Sequence, residues 1–155
     1  MKKKYNGIWF YGLSGSGKSF ACNFLKKKIG KNSLIIDGDK VRKYISYDLG
    51  YSGLDRKIQI TRVSGLARIV IEQSFFPLIS TVFMNNKIHK ICKILKILPV
   101  KVINKDIKKI MKNHPTYKNK IHVVGKDISL SKLNTKKIEN DSSKNFCKKL
   151  DILIK

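Results

Sequence analysis

Cysteine, proline, acidic residues and arginine are all scarce in this chain of 155 residues. Its three cysteines, Cys22, Cys92 and Cys147, lie far apart and form no CxxC pair, which argues against a disulfide framework or a zinc site. No run approaches the roughly 18 to 20 apolar residues that cross a bilayer, and no signal-peptide h-region follows the basic first residues. We therefore expect a soluble, cytoplasmic protein without a membrane partner.

The shortage of acidic residues gives a formal net charge of +24. Such a charge often indicates nucleic-acid binding, because lysine and arginine neutralise phosphates. Only four of the 34 basic residues are arginines, and the rest are lysines spread along the whole chain. An AT-rich coding sequence also produces such a bias towards lysine. We expect no stable nucleic-acid partner. The arginines are more informative, since Arg42, Arg56, Arg62 and Arg68 lie in one short window and guanidinium groups bind phosphates bidentately.

The apolar residues, 42% of the chain, predict a single α/β domain over residues 1–155. Strands are expected in "NGIWFYG", "SLIID" and "FFPLISTVF". Between them we predict a helix from Lys18 to Ile29 that ends at Gly30, and another from about Asp55 to Gln73. The second helix has an apolar stripe of Ile60, Val63, Ala67 and Val70. This alternation favours a parallel sheet sandwiched by helices with right-handed crossovers.

The pattern is weaker after Phe83. "KIHKICKILKIL" predicts a basic amphipathic helix, which we interpret as covering the sheet rather than lying on a membrane. "PVKVI" predicts a strand, "KDIKKIMKN" a helix, "NHPTYKNK" a mobile loop, and "IHVVGKDI" the last strand. Residues 130–155 are interpreted as a Lys-rich C-terminal tail or helix.

A GxxxxGK[ST] motif stands between the first predicted strand and the first predicted helix, which is the context that a P-loop requires. The motif and its intervening residues are Gly12, Leu13, Ser14, Gly15, Ser16, Gly17, Lys18 and Ser19. Gly15 and Gly17 allow backbone N–H groups to surround phosphate oxygens at a helix N-terminus. Lys18 is expected to bridge the β- and γ-phosphates of ATP, and the Ser19 hydroxyl to bind Mg²⁺.

Candidate acceptor residues follow the second predicted strand. In "LIIDGDKVR" the carboxylates of Asp37 and Asp39 precede Arg42, so that one carboxylate can accept a hydroxyl proton while the arginine binds an anion. DGD is also a common turn. In "DLGYSGLDRK", Tyr51 can stack on a base and Arg56 can bind a phosphate, or they can be a core tyrosine and an exposed arginine.

The ordered series "GLSGSGKS", "DGDKVR" and "DLGYSGLDRK" resembles the adenylylsulfate kinase family, from about Gly7 to Phe83 and again in "IHVVGKDI". The resemblance implies a nucleotide-kinase-like P-loop fold and ATP-dependent phosphorylation of the 3′-hydroxyl of adenosine 5′-phosphosulfate. By the same resemblance, Asp39 is the base or orienting group, and Arg42 and Arg56 bind substrate phosphates. Tyr51 stands at the family's stacking aromatic, and Gln59 where the family usually has asparagine. The substrate-binding set is Asp37, Asp39, Arg42, Tyr51, Arg56, Gln59 and, from a lid motif, Lys118.

Several positions depart from the family pattern. The glutamate and asparagine after DR are replaced by Ile58 and Gln59, Asn85 lies in a changed segment, and the stretch before the lid is short. Phe20 replaces a second hydroxyl residue, and we interpret it as a packing residue. A branch of the family phosphorylates cytidine diphosphoramidate for capsule modification, and the altered pocket leaves that acceptor open.

Two further hypotheses remain, a polynucleotide-binding P-loop protein and an ATP-binding homologue without catalysis. The oligomeric state, a homodimer being one candidate, does not follow from these residues.

Overall fold

The computed structural model describes residues 4–118, 121–130 and 132–155. Within these residues five parallel strands form one sheet in the order β2-β3-β1-β4-β5. The strands are β1 (Gly7–Tyr11), β2 (Ser33–Asp37), β3 (Phe76–Thr81), β4 (Ile97–Asn104) and β5 (Lys136–Asn140). The helices are α1 (Lys18–Ile29), α2 (Gly38–Tyr44), α3 (Gly53–Glu72), α4 (Asn86–Ile94), α5 (Ile107–Asn113) and α6 (Lys144–Asp151). The predicted α/β fold is confirmed.

The central strand β1 shows how the sheet is covered on both faces. Ile8 and Phe10 pack with residues of α1 and α6, whereas Trp9 and Tyr11 pack with residues of α3 and α4. All four side chains are fully buried because alternate residues of a strand point to opposite faces. The expected continuous apolar run of a central parallel strand is confirmed.

Two helices agree closely with their prediction. The helix α1 spans Lys18–Ile29, and Gly30 follows it with a φ of 79°, where its N–H donates to the carbonyl of Lys26. The helix α3 begins two residues earlier than predicted, because Ser52 and Asp55 form a capping box. Its stripe of Ile60, Val63 and Ala67 is buried, and Val70 is half-buried against the same core.

The basic amphipathic helix is shorter than predicted. Ile88 and Cys92 of α4 are buried in the core, so the helix does cover the sheet, but it ends at Ile94. Lys96 adopts a φ of 54°, and Ile97 then pairs with Gly7 in the sheet. The apolar residues at the end of the pattern therefore belong to β4, since pairing with the central strand overrides a short helical periodicity.

The last strand also differs from its prediction. Residues 121–128 contain only an isolated bridge between Val124 and Ile128, whereas β5 lies in the segment interpreted as a tail and pairs with β4. The predicted loop at 113–120 contains a 3-10 turn at Pro115–Tyr117, and residues 119 and 120 lie outside the described part. Among the described residues, no helix is both long and apolar enough to cross a membrane.

Candidate active site

The loop between β1 and α1 forms a cradle of backbone N–H groups. Gly17 is the N-cap of α1 with a φ of 103° and a ψ of 15°, and no side chain caps the helix. A Cβ atom at this position would lie 2.3 Å from Nδ2 of Asn140, so that only glycine fits both the backbone and the space. The uncapped N-terminus of α1 therefore leaves its first N–H groups available to a phosphate.

Lys18 lies inside this cradle and is only 7% exposed. Its Nζ donates to the carbonyl oxygen of Leu13 at 2.8 Å and to Oγ of Ser16 at 3.4 Å. Burial lowers the pKa of the Lys18 ammonium to about 8, although the carboxylates of Asp39 and Asp37 act in the opposite direction. The ammonium is thus desolvated and has no direct carboxylate partner among the described residues, which suits it to an incoming anion.

Ser19 and Asp37 offer two oxygen atoms beside the cradle. Ser19 Oγ lies 3.5 Å from Oδ2 of Asp37. The other carboxylate oxygen of Asp37 caps α2 by accepting from the N–H groups of Asp39 and Lys40, at 3.0 and 3.2 Å. A hydroxyl and a carboxylate are oxygen ligands of the kind that Mg²⁺ prefers, with phosphate and water completing its shell. The residues present therefore fit a magnesium site at Ser19.

A cleft of about 980 Å³ extends from this loop to the N-terminal part of α3. One group of lining residues, the donor wall, belongs to the loop and α1: Ser14, Gly15, Gly17, Lys18, Ser19 and Phe20. A second group, the acceptor wall, consists of the predicted acceptor residues Asp39, Arg42, Tyr51, Arg56 and Gln59. Parallel strands end at this edge of the sheet, which is where α/β proteins bind their ligands.

Two arginines flank the ring of Tyr51 on the acceptor wall. The guanidinium carbon of Arg42 lies 4.6 Å from the ring centroid and that of Arg56 lies 5.7 Å from it. Arg42 donates to the carbonyl of Gly50, and Arg56 donates to the carbonyl of His122 at 2.8 Å. Burial and then the charge of Arg42 lower the pKa of Arg56, opposed by Tyr51 and Asp39. Two adjacent, partly desolvated cations make this wall attractive to an anion.

Two buried polar atoms on this wall have no hydrogen-bond partner in the described part of the chain. They are Nε of Arg56, a donor, and Oε1 of Gln59, an acceptor, while Nε2 of Gln59 donates to the carbonyl of Gly38 at 3.0 Å. Gln59 is only 4% exposed. Buried polar groups in proteins are nearly always paired, so these two atoms have hydrogen-bonding capacity that a ligand or water can use.

The structure brings most of the predicted site residues together and separates a few from them. Asp37 faces Ser19 and the start of α2 rather than the acceptor wall. Lys118 is exposed, and it lies outside the cleft wall within the described residues, as do Ile58 and Asn85. Of the four arginines, Arg62 forms an ion pair with Asp48 and Arg68 is exposed on α3, so only Arg42 and Arg56 reach the cleft.

Two residues that support the loop were missed from the sequence. Asn140, at the end of β5, donates from Nδ2 to the carbonyl of Ser16 at 2.9 Å, and this contact is buried. Tyr117, which lies in the segment predicted as a mobile loop, donates its hydroxyl to the carbonyl of Ser14 at 3.0 Å. The sole signal for Asn140 is a polar residue at a strand end, and that strand was not recognised.

Comparison with known families gives a match to the model described as adenylylsulphate kinase over residues 4–119. An adenylyl-sulfate kinase of Buchnera aphidicola is 37% identical over 89 residues, covering 52% of this chain and 43% of the relative. One of Escherichia coli O1:K1 is 44% identical over 68 residues, covering 42% of this chain and 34% of the relative. The aligned parts thus span less than half the length of these relatives.

The fold is similar to that of the Mycobacterium tuberculosis APS kinase CysC, whose structure was determined in complex with AMPPNP and APS. That similarity has a TM-score of 0.83 at 20% sequence identity and covers 97% of this chain and 95% of the other. At this identity the similarity concerns the fold alone.

Proposed function

Because the chain belongs to the adenylylsulphate kinase family, we propose that it is an ATP-dependent kinase that phosphorylates the 3′-hydroxyl of a small nucleotide. The carrying observation is the position of Asp39 in the cleft. Asp39 lines the same cleft as Lys18, on the donor side, and Arg56, on the acceptor side. This position supports the proposal that Asp39 acts where the transferred phosphoryl group meets its acceptor.

Asp39 is the proposed base or orienting group for the acceptor hydroxyl. It is exposed in the cleft, and its side chain is not used to cap α2, a role that Asp37 fills. The acceptor oxygen forms a bond to the γ-phosphorus while the bond from that phosphorus to the β,γ-bridging oxygen breaks. Asp39 accepts the hydroxyl proton, and ADP leaves. The two carboxylates of the DGD sequence thus have different roles in this proposal, since Asp37 caps α2 and Asp39 is free to accept the proton.

Lys18 and the cradle are proposed to bind the phosphates of ATP. The Lys18 ammonium already donates to Leu13 and Ser16, so it is held within the loop before it meets an anion. The N–H groups at the start of α1 supply additional positive potential. Such preorganised donors stabilise developing charge without rearrangement at the moment of transfer.

Ser19, with Asp37 beside it, is the residue that would hold Mg²⁺ in this proposal. The bound ion would neutralise charge on the β- and γ-phosphates. The Ser19 hydroxyl donates to Oδ2 of Asp37 at 3.5 Å, which would leave its oxygen lone pairs available to the ion. The chain would therefore supply one metal ligand, the Ser19 hydroxyl, and position the carboxylate of Asp37 behind it.

The acceptor wall is proposed to bind an anionic nucleotide. Arg42 and Arg56 would bind its phosphate groups, and the ring of Tyr51, 55% exposed, would contact its base. The unpaired Nε of Arg56 and Oε1 of Gln59 would donate to and accept from the ligand. Lys118 remains a proposed contribution from the lid.

Adenosine 5′-phosphosulfate is the proposed acceptor, and cytidine diphosphoramidate is the second candidate. The second candidate is retained because Gln59, whose buried Oε1 has no partner among the described residues, stands where the family usually has asparagine. An exocyclic amino group of either base can donate to this oxygen, so the amide alone does not choose between them.

A coupled assay of ADP release tests the proposal. Purified protein is given ATP and Mg²⁺ with adenosine 5′-phosphosulfate, with cytidine diphosphoramidate, or with no acceptor. We expect acceptor-dependent ADP release with one of the two compounds, and its loss in Asp39→Asn. ATP binding without any release would support the non-catalytic alternative. Release stimulated by polynucleotide ends instead would support the nucleic-acid alternative.

A further inference from the structure

Phe20 is an apolar residue that the structure leaves half exposed at the mouth of the cleft. Its side chain is 52% exposed, and it lines the same cleft as Ser14, Lys18 and Ser19. The interpretation of Phe20 as a packing residue therefore accounts for only part of its surface. A large exposed aromatic group directly after the proposed Mg²⁺ ligand Ser19 requires another explanation.

The ring of Phe20 is held in place by two other aromatic residues. It stacks on Phe146 of α6 with the centroids 5.9 Å apart and an interplanar angle of 28°, and on Phe24 at 6.2 Å and 17°. Phe146 is buried and packs against the phosphate cradle, where a Cβ atom at Gly17 would lie 3.7 Å from its Cε1. Phe20 is thus a supported ring with a free surface rather than a mobile side chain.

The direction of the proposed transfer decides which part of the donor passes this ring. Asp39 and Arg56 lie on the acceptor wall, so the γ-phosphate must point towards that wall. The α-phosphate and the nucleoside then leave the cradle on its other side, along the first turn of α1. Phe20 occupies that turn, one residue after Ser19.

We propose that Phe20 is a donor-binding residue, whose ring stacks on the purine base of the nucleoside triphosphate. The inference rests on the proposed function for the direction of the donor and adds to it a site for the base. A phenyl ring has no hydrogen-bonding group, so it recognises the π-face that adenine and guanine share. The contribution of Phe20 is therefore expected to be similar for ATP and GTP, and absent for a triphosphate without a base.

Calorimetric binding measurements without any acceptor test this inference. The probes are ATP, GTP and inorganic tripolyphosphate, each with Mg²⁺. We expect Phe20→Ala to weaken ATP and GTP binding by about ten-fold to one hundred-fold, the range of base–aromatic stacking, and to change tripolyphosphate binding less than about two-fold. Phe20→Trp should retain the affinity for both nucleotides. Phe20→Leu preserves an apolar side chain in the aromatic cluster but has no ring to stack, so it should lose that nucleotide affinity.

Phe75→Ala is the matched control, because Phe75 is 39% exposed and lies outside the cleft wall of the described residues. It should change no affinity. If Phe20→Ala weakened the binding of ATP and of tripolyphosphate equally, the inference would be overturned, since the ring would then only support the cradle. Unchanged ATP binding in both Phe20→Ala and Phe20→Leu would also overturn it.

The same experiment separates the inference from the proposed function. Lys18→Ala should weaken the binding of all three probes, and this result would place the triphosphate in the cradle. If the wild-type protein bound none of them, the proposed function would fail together with the inference. If it bound ATP in a Lys18-dependent manner while Phe20→Ala had no effect, only the assignment of the base would fail.

Discussion

The two walls of the cleft differ in how completely their polar groups are paired. On the donor side, the carbonyls of Leu13, Ser14 and Ser16 accept hydrogen bonds from Lys18, Tyr117 and Asn140. The acceptor wall instead contains two of the three buried side-chain atoms without a partner in the described residues, on Arg56 and Gln59. The hydrogen bonds of the donor wall are thus already formed, whereas the acceptor wall retains unpaired groups that the proposed acceptor would contact. Selectivity for the acceptor is expected to reside where hydrogen bonds are still missing.

The largest expected effect is at Asp39, the residue of the acceptor wall that is proposed to act on the transferred proton. Asp39→Asn preserves the shape of the side chain but removes the proton acceptor. We expect the acceptor-dependent turnover to fall by about 10² to 10⁴, because general-base catalysis contributes that much. ATP affinity, measured by calorimetry, should remain within about two-fold. Wild-type turnover in this variant would show that the proton goes elsewhere.

The next effect tests the acceptor wall alone. Arg56→Lys retains a positive charge but loses the planar fork and its unpaired Nε donor. We expect the KM for the acceptor to rise by roughly ten-fold to one hundred-fold, since hydrogen bonds to charged groups contribute about 1.5–3 kcal/mol. The affinity for ATP should not change.

Arg68→Lys, on the exposed part of α3, is the matched control for Arg56→Lys and should behave as the wild type. A change in ATP affinity instead of the acceptor KM would contradict the separation of the two walls.

The donor wall should respond to pH through Lys18. The pKa of its ammonium is lowered to about 8, so the charged form proposed to bind phosphate predominates below pH 8, is half populated at pH 8 and is lost as the pH rises further. Bound phosphates favour the charged form, so the Kd for ATP should rise by up to about five-fold from pH 8 to pH 9. Lys18→Arg remains charged throughout and should show a flat profile. Parallel profiles in the two proteins would assign the titration to another group.

A smaller effect is expected from the support behind the cradle. Asn140→Ala removes the donor to the Ser16 carbonyl and leaves that buried carbonyl unpaired, which should lower the free energy of unfolding by about 1–3 kcal/mol. ATP affinity should fall about five-fold as the loop loosens, equivalent to about 1 kcal/mol. Chemical denaturation and calorimetry measure the two quantities. Asn145→Ala, on the exposed start of α6, is the control.

The smallest effect should come from the arginine that the cleft does not use. Arg62 forms a bidentate pair with Asp48, with distances of 2.5 and 2.8 Å, away from both walls. The arginine lowers the pKa of the Asp48 carboxyl through this hydrogen bond. Arg62→Ala should leave the KM for ATP and for the acceptor unchanged, because exposed ion pairs contribute little. A raised acceptor KM would extend the acceptor wall to the whole arginine window.

The features that could be predicted from the sequence are those encoded by neighbouring residues. The glycines and Lys18 of the loop identify the donor wall, and α1 ends where Gly30 predicts. The strand β5 was missed because only Ile138 and Asn140 are buried in it, and its first two residues are exposed lysines. An edge strand of this length carries too little apolar alternation to be recognised.

The contacts between the site residues were harder to predict from the sequence than the residues themselves. Arg42, Arg56 and Arg62 occupy similar sequence environments, and only the folded chain shows that Arg62 turns to Asp48 while the other two flank Tyr51. The hydrogen bond from Asn140 to Ser16 joins residues that are 124 positions apart in the sequence, so no local sequence pattern predicts it. Residue type is a local property, whereas the partner of a side chain is set by topology.

That long-range contact has a consequence for the order in which the protein is made. Synthesis proceeds from residue 16 towards residue 140, so the loop emerges from the ribosome well before the strand that supports it. Until β5 is added, the edge of β4 has no neighbour and the Ser16 carbonyl lacks its donor. The nascent chain can therefore form the strand and helix around the loop early, but it finishes the phosphate cradle only late in its synthesis.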